Sequence, residues 1–185
     1  MTKLDAINYM LISVGEPPVN SLETETIDEL SIAIQVLDSV TREVNSQGWN
    51  YNREYNFKLY PDVDKYIYIT DSMLQVDAED PSVKTVMRAG KLYDKANHTF
   101  IWDVDSLSCT ITWDYIFDDL PPVVQEYVKV RAVRIYQTKI LGDPQLYQYN
   151  IQDELDAKVQ IQVFETEQQD VNMFDNLEYN EYRRY

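Results

Sequence analysis

The spacing of apolar positions changes twice along the chain, from helical to alternating and back to helical. Leu4, Ile7, Leu11 and Val14 recur at three and four residues, which places them on one face of a helix over 3–14. Thr2 suits its N-cap, with Asp5 three residues on. Gly15, Pro17 and Pro18 end it. The second helix spans 27–47. Ile27, Leu30, Ile34, Leu37, Thr41 and Val44 form one apolar row, and Ala33, Val36 and Val40 widen it. Thr26 and Glu29 have capping-box spacing, and Gly48 closes the helix.

From 55 to 116 the period shortens. Runs rich in Tyr, Ile, Val, Thr, Phe and Trp at 55–60, 65–69, 83–87, 91–94, 98–102 and 108–113 read as strands. Turn residues separate them, among them Pro61-Asp62 and Ala89-Gly90. Short connections predict antiparallel neighbours and hence a meander. Helix returns over 121–141, opened by Pro121 and Pro122, and its apolar residues cover most sides. Gly142-Asp143-Pro144 is a stop and restart, so a last helix over 144–170 folds back antiparallel. Its stripe is Leu155, Val159 and Val163, extended by Tyr149 and Gln152.

These elements predict an α+β fold, an antiparallel helical bundle with an inserted antiparallel β-sheet platform. Residues 1–54 supply N-terminal helices of the bundle, 55–116 the platform, and 117–170 a helical hairpin completing the bundle. Residues 171–185 form a tail or docking arm. Phe174, Leu177, Tyr179, Tyr182 and Tyr185 make that segment stickier than a solvated end.

Charge changes this picture more than size does. The 185 residues carry 32 acidic and 16 basic side chains, a formal net charge of −16. That balance disfavours non-specific grip on nucleic acid and on anionic membranes. The exception is 121–141, where Lys129, Arg131, Arg134 and Lys139 oppose Glu126. This basic helix has two readings. One is internal pairing with acidic neighbours. The other is a docking strip, which makes Lys129, Arg131, Arg134, Tyr136 and Lys139 candidates for a subunit interface. The 15 tyrosines and 3 tryptophans suit protein contacts.

Candidate chemistry is sparse. His98 is the single histidine and Cys109 the single cysteine, too few for a zinc site; a catalytic triad would have to use His98, which falls at a turn, and no nucleophile-elbow pattern is present. Asp62/Asp64 and Asp103/Asp105 fall where hairpin turns are expected, and neither pair has the calcium-loop pattern. No phosphate-binding glycine motif occurs. No catalytic residue, cofactor or metal is expected. The N-terminus lacks signal-peptide features and no run is long enough to span a membrane, so a cytosol-like compartment is expected.

Several stretches carry a family resemblance. VLDSVTREVNSQGWNYNREYNFKLYPD (36–62) resembles the helix-to-sheet junction of tail tubular protein A, the ring-forming adaptor of short-tailed bacteriophages. LISVGEPPVNSL (11–22), MRAGKLYDKANHTFIWD (87–103), FDDLPPVVQEYVKVRAVRIYQ (117–137) and QLYQYNIQDELDA (145–157) are similar to further stretches of that family, in family order. The resemblance implies a structural virion protein of the tail, assembled in the host cytoplasm. It implies a twelve-membered homo-oligomeric ring between the portal and the tail nozzle, tail tubular protein B. A tail fibre would attach nearby, and DNA would pass through the channel without specific binding. An acidic channel wall would let DNA slide, and the Gln- and acid-rich face of 144–170 is the expected lining. Two other classes stay open on the residues: an acidic inhibitor that mimics DNA, and a cell-wall hydrolase using Glu126 and Glu154.

Overall fold

A computed structural model describes residues 1–23 and 28–168, without the side chains of 144–147 and 149. Thr26 and Ile27, the side chain of Tyr149, and Phe174, Leu177, Tyr179, Tyr182 and Tyr185 lie outside the described residues. The architecture is α+β, a helical bundle with an antiparallel platform inserted between its second and third helices.

Helix α1 is Lys3–Ser13, and Thr2 and Asp5 complete a capping box, each side chain accepting from the other's backbone N–H. Helix α2 is Asp28–Asn45 and buries Leu30, Ala33, Val36, Leu37, Val40 and Val44. Helix α3 is Pro122–Ile140 and α4 is Pro144–Gln168. The missing N–H of Pro122 costs nothing in the first turn. The bundle core gathers Ile7, Met10 and Leu11 of α1, the apolar face of α2, and Val124, Tyr127, Val128 and Tyr136 of α3. From α4 it takes Ile161.

The bundle does not take up the apolar stripe of the last helix. Leu155, Val159 and Val163 point outward and are about half exposed, whereas Ile161 is fully buried. The bundle-facing side of α4 is chosen by Ile161 and by Glu154, which meets two arginines of α3.

The platform is not a meander. Strands β1 (Arg53–Leu59), β5 (Leu107–Trp113) and β2 (Met73–Ala78) form one sheet in the order β1-β5-β2, all pairs antiparallel. β3 (Thr85–Arg88) and β4 (Lys91–Asp94) make a separate hairpin. The expected strands at 65–69 and 98–102 reduce to single bridges, Tyr68 with Lys91 and Asp94 with Thr99. Side-chain caps divert both segments. Asp62 accepts from the N–H groups of Asp64 and Tyr66, and Lys65 turns left-handed. Asp94 accepts from those of Ala96 and Asn97, and His98 turns left-handed. Ile67 and Trp102 still enter the platform core, beside Leu92, Cys109 and Ile111.

The β3–β4 turn is a two-residue loop with positive φ at both Ala89 and Gly90. Such turns favour Asn-Gly, because a side chain bearing Cβ is strained there unless it is Asn or Asp. Ala89→Asn is therefore expected to stabilise the chain by about 0.5–1 kcal/mol, raising Tm by about 2 °C in a thermal melt.

Candidate subunit interface and docking surfaces

The basic strip of α3 divides into groups with different fates. Arg131 donates from Nη1 to Glu154 Oε1 (2.6 Å) and from Nη2 to Glu43 Oε1 (2.5 Å). Arg134 donates from Nε to Glu154 Oε2. Glu154 and both arginines are largely buried, with side-chain exposures of 12, 23 and 15 %. Burial alone would push the Glu154 carboxyl up, but the hydrogen bonds from Arg134 and Arg131 outweigh it and hold the carboxyl below its ordinary value. Lys129 pairs with Glu126 at 2.7 Å and lies over the Tyr9 ring, 4.8 Å from its centroid. Tyr136 is fully buried, and its hydroxyl donates to the backbone carbonyl of Glu29.

Internal pairing therefore accounts for Lys129, Arg131 and Arg134, and Tyr136 is core rather than surface. Lys139 is the exposed member of the set, with no ion-pair partner among the described residues. The acceptors were hidden from sequence reading because Glu43 and Glu154 lie on other helices, 88 and 23 residues from Arg131.

A second cationic cluster lies on the platform. Lys84, Arg88, Lys91 and Lys95 fall within twelve residues that hold one acid, Asp94. The fold puts them on the β3–β4 hairpin and its flanks. Arg88 lies 4.5 Å from the Tyr93 ring centroid, and Lys91 lies 3.7 Å from that of Tyr66 and 5.2 Å from that of Tyr68. None of the four makes an ion pair among the described residues. Cations stacked on the half-buried Tyr66 and Tyr93 and the exposed Tyr68 form a sticky, positive surface on the platform. The local charge reversal was the signal available to find it.

A polar node joins bundle and platform. The Asn45 side-chain amide donates to Asp114 Oδ1 (2.9 Å) and to the Tyr115 carbonyl (2.8 Å), and its oxygen accepts from the Tyr51 hydroxyl (2.8 Å). Asn52 donates to the carbonyls of Asn45 and Trp113, and Arg42 donates to Asp114 Oδ2. Burial, with Glu165 and Asp114 nearby, pushes the Tyr51 hydroxyl well above its usual range, so it stays a neutral donor. Glu165 of α4 accepts from the Asn50 N–H with both oxygens, at 3.0 and 2.9 Å. The junction thus has a fixed geometry rather than a loose linker.

The residues weighed for chemistry lie apart or are already partnered. Glu126 and Glu154 are each committed to cations of α3. Asp103 pairs with Lys65, and Asp62 caps its own turn. Burial, then the Glu79 and Asp77 carboxylates, push the Cys109 thiol up to about 11, which keeps it protonated and inert at neutral pH. Among the described residues no group of three or more His, Cys, Asp or Glu side chains is placed to hold a metal ion. No helix there is long and apolar enough to cross a membrane.

The remaining features are surfaces: the outward stripe of α4, the Tyr9 and Ile12 face of α1, and the cationic hairpin. A comparison with curated proteins finds no match. The family model for the tail tubular protein matches residues 4–171, which takes in every strand and nearly all of the four helices. The chain belongs to the tail tubular protein family and is a structural component of the phage virion tail.

Proposed function

We propose that this chain is the ring-forming tail adaptor between the portal and the tail nozzle, with tail fibres attaching nearby and DNA passing through its centre. The observation that carries the reading is the family match over 4–171, since it covers both the bundle and the platform. The surface supports it. A stable bundle that leaves apolar residues of α1 and α4 outside is built for contact with other protein. The twelve-membered ring, the portal and the nozzle, tail tubular protein B, come from the resemblance of the sequence to tail tubular protein A.

The bundle would build the ring body, and the platform would turn toward the nozzle and fibres. The cationic hairpin suits an acidic partner surface there. Lys139 remains a candidate for the subunit interface. A duplex moves freely only where the wall does not neutralise its phosphates, and a net charge of −16 per copy provides such a wall. The outward stripe of α4 is uncharged, so the acid of the wall must come from other residues than its centre. Mixing the purified protein with portal oligomers of the same phage tests the adaptor role. The protein is expected to co-sediment with the portal at a fixed ratio; its staying at the top of the gradient would count against the role.

A further inference from the structure

Helix α4 carries apolar residues on two opposite sides. Ile161 faces the bundle and is fully buried. Leu155, Val159 and Val163, spaced by four, are 50, 51 and 47 % exposed. Residues 159 and 161 stand about 200° apart around the helix axis, so the second stripe faces directly away from the first. Gln148, Gln152 and Gln162 fall on or beside the outer stripe with no charged residue within it, and Asp156 and Lys158 mark its two edges. A solvated face of so acidic a chain would hold carboxylates.

A receiving surface lies on the same molecule. α1, α3 and α4 leave a groove of about 750 Å³. Tyr9 and Ile12 line it at 58 and 59 % exposure, with Val130 and Val133 beneath. Asp153 and Asp156 line the α4 side of the groove, and Glu126, paired with Lys129, lines its α3 side, so the groove is acidic. Ridge and groove use different sides of one helix, so a copy cannot fill its own groove with its own ridge.

Charge indicates what does fill it. Two copies, each with net charge −16, repel unless they meet through uncharged surface, and the ridge is such a surface. Lys158, the one cation of α4, borders the ridge with no ion-pair partner among the described residues. Asp153 likewise has no cationic partner there. We infer that the Leu155–Val159–Val163 ridge of one copy seats in the α1–α3–α4 groove of the next, with Lys158 set against Asp153. The contact is head-to-tail, the kind that repeats around an axis and closes into a ring. The inference rests on the ring reading and specifies its subunit contact.

Two single variants of the full chain, Ile12→Cys and Val159→Cys, test it. Both sites are exposed, and the native Cys109 is buried, so the fold and the labelling stay clean. The two proteins are mixed and treated with a short bis-maleimide. The mixed Ile12–Val159 product is expected to exceed the Val159–Val159 product about tenfold, as a head-to-tail contact requires. Lys158→Glu in the Val159→Cys chain should reduce the mixed product, and Asp153→Lys in the Ile12→Cys chain should restore it. A dominant Val159–Val159 product, or no cross-linked product, overturns the inference. If the portal still collects a ring in either of those cases, the adaptor reading stands and only the contact is wrong. If the portal collects none, the adaptor reading falls as well.

Discussion

Replacing Glu154 by Ala is expected to cost about 3 kcal/mol, because it leaves the largely buried guanidinium groups of Arg131 and Arg134 without their shared carboxylate. Chemical denaturation, read from the midpoint at constant slope, would measure it. Arg131 would keep Glu43. The triple variant Glu154→Leu, Arg131→Met, Arg134→Leu should be less destabilised than Glu154→Ala alone, since it leaves no buried charge unpaired and the half-exposed Glu43 can be solvated. The same cluster sets an acid limit. The folded-state carboxyl of Glu154 is held below its unfolded value. Its contribution is therefore full above the ordinary glutamate range, about pH 4, and is lost as pH falls through the folded value. Glu154→Gln should flatten that part of the stability–pH curve.

Charge reversal within α3 has different consequences along the strip. Glu at 131 or 134 would face Glu154 within the same copy, so loss of assembly would report a damaged protomer. Lys139 is the residue of the strip at which reversal tests an interface alone.

The second large effect is expected at the bundle–platform junction. Asn45→Ala should cost about 2 kcal/mol, because Asp114, the Tyr115 carbonyl and the Tyr51 hydroxyl each lose a partner in a half-buried setting. Tyr51→Phe removes only the hydroxyl and should cost less, about 1 kcal/mol. If the node fixes the platform on the bundle, Asn45→Ala should also speed amide exchange in β5 near Trp113 more than in α1. Equal exchange in both would show that the node does not couple the two parts.

The helices were legible in the sequence because their signals are local. Thr2 with Asp5, Pro121 with Pro122, and Gly142 mark ends within a turn of where they act. The hairpin was legible for the same reason, through Ala89-Gly90. The sheet order was not. β1 pairs with β5 across some fifty residues, and no local period encodes that partner. β2 escaped notice because a register shift between Met73 and Gln75 breaks its alternation, leaving Met73 and Val76 as its buried pair. The outer stripe of α4 shows the opposite limit. Its spacing is clear, but period alone cannot say whether a stripe faces its own core or another chain. Ile161 and Glu154 decided it, and neither belongs to the stronger pattern. The basic helix has the same limit: composition reveals its charge, while only the fold reveals Glu43 and Glu154 beside it.

Cryo-electron microscopy of the protein bound to its portal tests the adaptor reading most directly. The expected result is a closed twelvefold ring of this chain beneath the portal, its helical bundles side by side and its channel wall dominated by Asp and Glu. Portal particles with no ring density, or a ring whose channel is lined mainly by Lys and Arg, would contradict it.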